Sequence, residues 1–162
     1  MVDAKAARLA LVSILAAAPA AAQLAPSSDA PLDITSERFE GEDNLAVSTF
    51  IGDVQVVQEA AILTSDRLIL VRDEAGDVTT ITAIGDVRYS NGEEAISGDK
   101  AVYEEIPRTI VVTGEVVVTQ GEQVMAGERL VYWVDTGRVR IEAPEGRRVR
   151  GVFRTKSLNA ES

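Results

Sequence analysis

From about residue 34 to residue 154 the apolar positions recur with a period of two rather than 3.6, the mark of extended strands whose side chains alternate between two faces. Runs rich in Val, Ile, Thr and Tyr, separated by Gly, Asn, Asp and Pro, predict strands over 34–40, 45–51, 53–58, 61–71, 78–84, 86–90, 94–104, 108–113, 115–119, 123–134, 138–142 and 148–154. No helical stripe interrupts them. Asn91-Gly92 is the strongest turn signal, because both residues tolerate the positive φ of a two-residue hairpin, and Pro107, which donates nothing to a ladder, marks a corner.

The strands are written as repeats. Gly52-Asp53-Val54, Gly85-Asp86-Val87 and Gly114-Glu115-Val116 open one series; Ser65-Asp66-Arg67-Leu68, Gly98-Asp99-Lys100-Ala101 and Gly127-Glu128-Arg129-Leu130 form a second, with a fainter copy at Ser36-Glu37-Arg38-Phe39. The unit from Gly114 to Arg138 reads as a hairpin, and the copies recur at spacings of 29 or 33 residues. The longer spacing comes from extra residues between Arg72 and Thr80. Such a period signals stacked units, none of which buries its apolar face alone.

Superimposing the copies separates two faces. One carries Val54, Val56, Leu68, Leu70, Ile81, Val87, Tyr89, Ala101, Tyr103, Ile110, Val112, Val116, Val118, Leu130, Tyr132, Val139 and Ile141; the other is mixed and charged, with Arg67, Arg88, Lys100, Glu115 and Arg129. The apolar face must be covered. Antiparallel strands commonly bury one face and wet the other, so the pattern predicts an all-β protein in which a sheet folds over on itself as a jelly roll, sandwich or open barrel.

The two ends of the chain read differently. Lys5 and Arg8, an apolar segment from Leu9 to Ala18 and the small residues Ala20-Ala21-Ala22 predict a cleavable signal peptide over 1–22. The apolar stretch is shorter than the ~20 residues that span a bilayer. A flexible linker is expected over 23–31, the folded domain over 32–154 and a disordered tail over 155–162. With no Cys, the exported chain suits a bacterial periplasm, where disulfides are permitted but not required.

A formal charge of −10 argues against non-specific nucleic-acid binding, and the absence of His and Cys removes thiol nucleophiles, imidazole bases and the commonest zinc ligands. Catalysis would have to run on carboxylates. No catalytic residue, metal ligand or cofactor site is assigned: the recurring acid-base pairs are expected to solvate turns, and Asp73, Glu74 and Asp77 lack the spacing of a calcium loop. Scattered acids give no specific support to a carboxylate pair for glycoside cleavage. Trp133 is placed opposite the core face, packed beneath a loop or the tail, or meeting a partner.

The charges are also unevenly distributed. Asp29, Asp33, Glu37, Glu40, Glu42 and Asp43 crowd one end of the array against Arg38, whereas Arg138, Arg140, Arg147, Arg148, Arg150, Arg154 and Lys156 crowd the other. Terminal strands of an unclosed sheet have unpaired backbone groups, so Glu37, Glu40, Glu42, Arg138 and Arg140 are expected at an assembly edge that supports head-to-tail self-association.

The G-[DE]-V strands at Gly52, Gly85 and Gly114, each followed in register by [SG]-[DE]-[RK]-[LA] behind a predicted signal, resemble the OstA-like repeats of the LptA family of periplasmic lipopolysaccharide transport proteins. The resemblance spans about 34–153. It implies a twisted antiparallel β-jellyroll, open along one side, whose apolar interior takes lipid A acyl chains, and a bridge from an inner-membrane LptC-like protein to an outer-membrane LptD-like protein. The residues that would line the lipid groove are Val54, Val56, Leu68, Leu70, Ile81, Val87, Tyr89, Tyr103, Ile110, Val112, Val116, Val118, Leu130 and Tyr132. No enzymatic step is implied. The alternatives are an LptC-like or other OstA-like structural or adhesive β-repeat protein with a packed interior, and a carboxylate-based hydrolase on a β-solenoid.

Overall fold

The computed structural model describes residues 30–154. The expected signal peptide, almost all of the expected linker and the expected tail therefore lie outside the described residues. The strands are β1 (Asp33–Thr35), β2 (Arg38–Glu42), β3 (Val47–Gln58), β4 (Ala61–Arg72), β5 (Val78–Ser90), β6 (Glu94–Glu104), β7 (Thr109–Gln120), β8 (Gln123–Trp133), β9 (Arg138–Glu142) and β10 (Arg150–Val152). They form one antiparallel sheet in the order β1-β3-β4-β5-β6-β7-β8-β10, with β2 also on β3 and β9 also on β8. A short left-handed turn, Asp43–Leu45, leads from β2 into β3.

Three breaks expected from the sequence are absent. Gly52-Asp53, Gly85-Asp86 and Gly114-Glu115 do not end strands; each lies inside one, in β3, β5 and β7. The register shows why: Ile51↔Arg67 is followed by Val54↔Ser65, Ile84↔Lys100 by Val87↔Gly98, and Thr113↔Arg129 by Val116↔Gly127. In each case the Gly-acid strand contributes one residue more than its neighbour, which is a β-bulge. Both bulge residues take positive φ, 82–83° at the glycines and 40–44° at Asp53, Asp86 and Glu115. Glycine is required for a second reason. A Cβ on Gly52, Gly85 or Gly114 would lie 2.2 Å from a carboxylate oxygen of Glu37, Asp66 or Asp99, respectively, so the two repeated motifs lock together across adjacent strands.

Bulges bend strands, and these align in one row across the sheet. The row folds the sheet into two layers. The first contains β1, 54–58, 61–65, 87–90, 94–98, 116–120, 123–127 and β10; the second contains β2, 47–51, 67–72, 78–84, 100–104, 109–113, 129–133 and β9. The result is a twisted antiparallel jellyroll, joined along the bulges and open on the far side, where two separate rows of hairpin turns form the lips. Asn91 shapes one turn by accepting the backbone N–H of Glu93 and Glu94 on Oδ1 at 3.0 and 2.8 Å. Asp73 does the same for its own loop, accepting from Ala75 and Asp77.

Glu37-Arg38 opens β2 at a bend, but the other three acid-base pairs are not at turns. Asp66-Arg67, Asp99-Lys100 and Glu128-Arg129 lie in mid-strand, at the fold line. There the inward-facing parity reverses: Leu63 and Ser65 point inward before it, Leu68 and Leu70 after it. The two adjacent charges are the residues left outside at the switch.

Candidate functional site

Two apolar clusters fill the space between the layers. One joins Val54, Val56, Leu68, Leu70, Ala83 and Val87; the other joins Ile96, Val112, Val116, Val118, Leu130 and Tyr132. The interior row of the second layer nearest the fold line sets the difference between them. Its register pairs run Phe50↔Leu68, Leu68↔Ala83, Ala83↔Ala101, Ala101↔Val112 and Val112↔Leu130. Each outer copy of the repeat places large side chains in this row. The middle copy places two alanines side by side.

Over these alanines lies a cavity of about 130 Å³, walled from both layers. Of the groove residues expected from the sequence, Val56, Leu68, Leu70, Ile81, Val87, Tyr89, Tyr103, Ile110 and Val112 line it. Val54, Val116, Val118, Leu130 and Tyr132 also face inward but lie outside its wall, Val54 packing in the first cluster and the other four against one another in the second. Leu32, Gln58, Ala61, Leu63, Ala83, Ile96 and Ala101 complete the lining. No interior residue is expected from the sequence in 61–65, 94–98 or 123–127, so Leu63 and Ile96 are not among the expected lining residues. The available signal was the pair of adjacent charges in the middle of each of these strands.

The lining is almost wholly apolar, and polar groups gather near the lips. The Tyr103 hydroxyl donates to Glu105, and burial raises its pKa, with that hydrogen bond adding to the effect. Burial likewise raises the pKa of Tyr89, assisted by the negative charge of Glu94. Glu94 is itself buried at the start of β6; loss of hydration pushes its carboxyl up, and neighbouring Glu93 adds to the shift. Among the described residues no group of acids is arranged to hold a metal ion, and no helix is long and apolar enough to cross a membrane.

The edges of the sheet carry the other candidate surfaces. β2, with Glu40 and Glu42, lies beyond β3; β9, with Arg138 and Arg140, lies beyond β8; Glu37 sits at the corner before β2, against Gly52. Part of the charge is paired internally: Arg38 meets Glu40 at 3.0 Å, and Arg140 meets Glu142 at 3.8 Å. Arg138 and Arg140 also cover the outer-face ring of Trp133 at 4.9 and 5.4 Å from its centroid. Each end exposes apolar rings as well, Phe39 at 49% and Phe153 at 58%.

The model of the family described as "LptA/(LptD N-terminal domain) LPS transport protein" matches residues 33–138. The chain belongs to this LptA-like family. No curated protein matches the sequence. Among solved structures, the fold is similar to that of LptH from Pseudomonas aeruginosa, the LptA homologous periplasmic component of the conserved lipopolysaccharide transport device, with 21% identity, a TM-score of 0.65, and coverage of 78% of this chain and 96% of that one. The LptA-like fold accounts for the unclosed sheet, and the family match spans both apolar clusters.

Proposed function

We propose that this chain is a periplasmic lipopolysaccharide carrier that shields lipid A acyl chains between its two layers and forms part of a bridge from an LptC-like protein in the inner membrane to an LptD-like protein in the outer membrane. The observation that carries this reading is the apolar cavity beneath an open mouth, within a member of a lipopolysaccharide transport family. Each CH₂ kept from water is worth about 0.8 kcal/mol, so one twelve-carbon chain moving unaided through water costs roughly 10 kcal/mol. A covered apolar path removes that barrier and needs no chemistry.

The cavity is comparable to the roughly 150 Å³ apolar cavity that admits a benzene ring. It accommodates a segment of one chain, and a lipid with several chains requires the layers to part toward the C-terminal half. The bridge rests on the two ends of the sheet: unpaired edge strands, exposed apolar groups and opposite charge suit strand addition between copies, a head-to-tail contact that need not close. Ionic pairing would orient the encounter, so the association should weaken with salt.

A photo-reactive residue at Val87 or Tyr89 should capture lipopolysaccharide, and one at Arg88, on the opposite face of the same strand, should not. Equal capture at all three would refute the interior path. The packed half favours a second reading, a structural β-repeat protein with a dry interior, and no capture at any position would select it.

A further inference from the structure

At the C-terminal end of the cavity the apolar wall gives way to one polar cluster. Glu94 faces inward from the first layer and is 7% exposed; its register partner Gln120 donates Nε2 to Glu94 Oε1 at 2.7 Å. Tyr132 enters from the second layer, 0% exposed, and its hydroxyl has no hydrogen-bond partner. The two are close enough to interact electrostatically: burial raises the Tyr132 pKa and the charge of Glu94 raises it further. Tyr89, in the cavity wall, responds to both. Ile110, the register partner of Tyr132, and Ile96, two residues after Glu94 on the same face, both line the cavity, and Ile96 and Tyr132 pack in one cluster, so the polar cluster adjoins the cavity.

A buried hydroxyl without a partner is unusual in a native protein, because desolvation removes its water and nothing replaces it. Tyr132 has an acid nearby and does not bond to it. A group inserted between them would satisfy both if it offered an acceptor on one side and a donor on the other. A trans secondary amide has this form, since its C=O and N–H point in opposite directions. An ester or ether supplies no donor.

We propose that Tyr132 and Glu94 form a recognition site for the amide linkage of an N-acylated amphiphile whose chain occupies the adjoining cavity. The Tyr132 hydroxyl donates to the amide carbonyl, and the amide N–H donates to a carboxyl oxygen of Glu94. Either protonation state of Glu94 leaves an oxygen able to accept. The site rests on the carrier reading and deepens it, because it assigns register and head-group orientation to a lipid that the apolar wall alone would let slide freely.

The test compares two amphiphiles of equal chain length, N-dodecanoyl ethanolamine and 2-(dodecyloxy)ethanol, each displacing a fluorescent acyl probe from the whole protein below its micellar concentration. The amide should displace the probe at about tenfold lower concentration, the scale of a hydrogen bond gained by a buried group that otherwise lacks one. In Tyr132→Phe the amide should lose this advantage, the ether should bind as before, and the melting temperature should not fall. If that variant does not fold, Glu94→Leu reads the same preference from the other side. Equal displacement by the two amphiphiles, or an advantage that survives Tyr132→Phe, overturns the site and leaves the carrier standing. If neither amphiphile displaces the probe, the carrier reading fails, and the site with it.

Discussion

In the middle copy of the repeat the second layer presents Ala83 and Ala101 to the interior as register partners, whereas the next copy presents Val112 and Leu130 at the same two positions. The strands on either side of the fold line have the same bulges, the same Gly-acid interlock and the same direction in both copies. One copy lines a cavity and the other fills its share of the interior. The backbone therefore sets the shape of a jellyroll that could be open or solid along its length, and a few side chains in one row decide which it is. The next row adds to the contrast: Leu70, Tyr103 and Tyr132 occupy equivalent positions, and only Tyr132 is completely buried.

The largest effect is expected from making the packed half resemble the open one. Leu130 is 1% exposed and touches the centre of the C-terminal cluster. Leu130→Ala should cost about 2–5 kcal/mol of stability, the range for a buried leucine whose site cannot collapse. Denaturant unfolding measures this, with the midpoint shifted and the slope unchanged. If enough fold survives, lipid capture should spread from Val87 to Val118. A loss under about 1 kcal/mol would mean that the half is not packed as described.

The reverse exchange should act on binding more than on stability. Ala101→Leu puts three further carbons beside Ala83 and Val112, where the cavity now lies. At about 0.8 kcal/mol per buried CH₂, the space denied to an acyl chain is worth roughly 2–3 kcal/mol, or about 30–150-fold weaker probe binding. The stability change should stay within about 1–2 kcal/mol, since filling space and straining neighbours oppose each other. Unchanged binding would place the lipid elsewhere, on the outer face or at the edges.

How far the sequence reveals this arrangement follows from what determines each part. Alternation within a strand is local, so the antiparallel sheet, the repeats and inward residues such as Val54, Val87 and Val116 can be read directly. Position relative to the fold line is not local. Counting alternate residues backward from Leu68, Ala101 or Leu130 through the acid-base pair would turn Thr64, Ser97 and Ala126 inward, whereas Leu63, Ile96 and Met125 occupy the interior. The cavity is harder still to foresee. Two unremarkable alanines become a gap only when register places them side by side and no large neighbour leans over them. Glu94 reads in the sequence as a charge at a strand start, and only the opposing layer makes it a buried carboxyl.

That carboxyl supplies the smallest predicted difference between the halves. Burial raises the pKa of Glu94, and neighbouring Glu93 adds to the shift, whereas Tyr89 and Tyr132 stay neutral through the physiological range because burial raises their already high pKa values. The folded protein therefore holds the Glu94 proton at pH values where the unfolded chain has released it. Below the ordinary carboxylate range both states are protonated and the group has no effect. As pH rises through the raised value the folded state must ionise a buried acid, and stability is lost over that window. Glu94→Gln removes the titration and keeps an amide that can still meet Gln120. Melting temperatures of the two proteins should therefore converge, or favour the wild type, near pH 4.5, and the variant should gain relative to the wild type by pH 8. The comparison must be a difference, because the chain's net charge of −10 also relaxes on acidification, and does so almost equally in both proteins. Parallel melting curves across this range would show that Glu94 is solvated at the open lip, and would remove it from the interior of the C-terminal half.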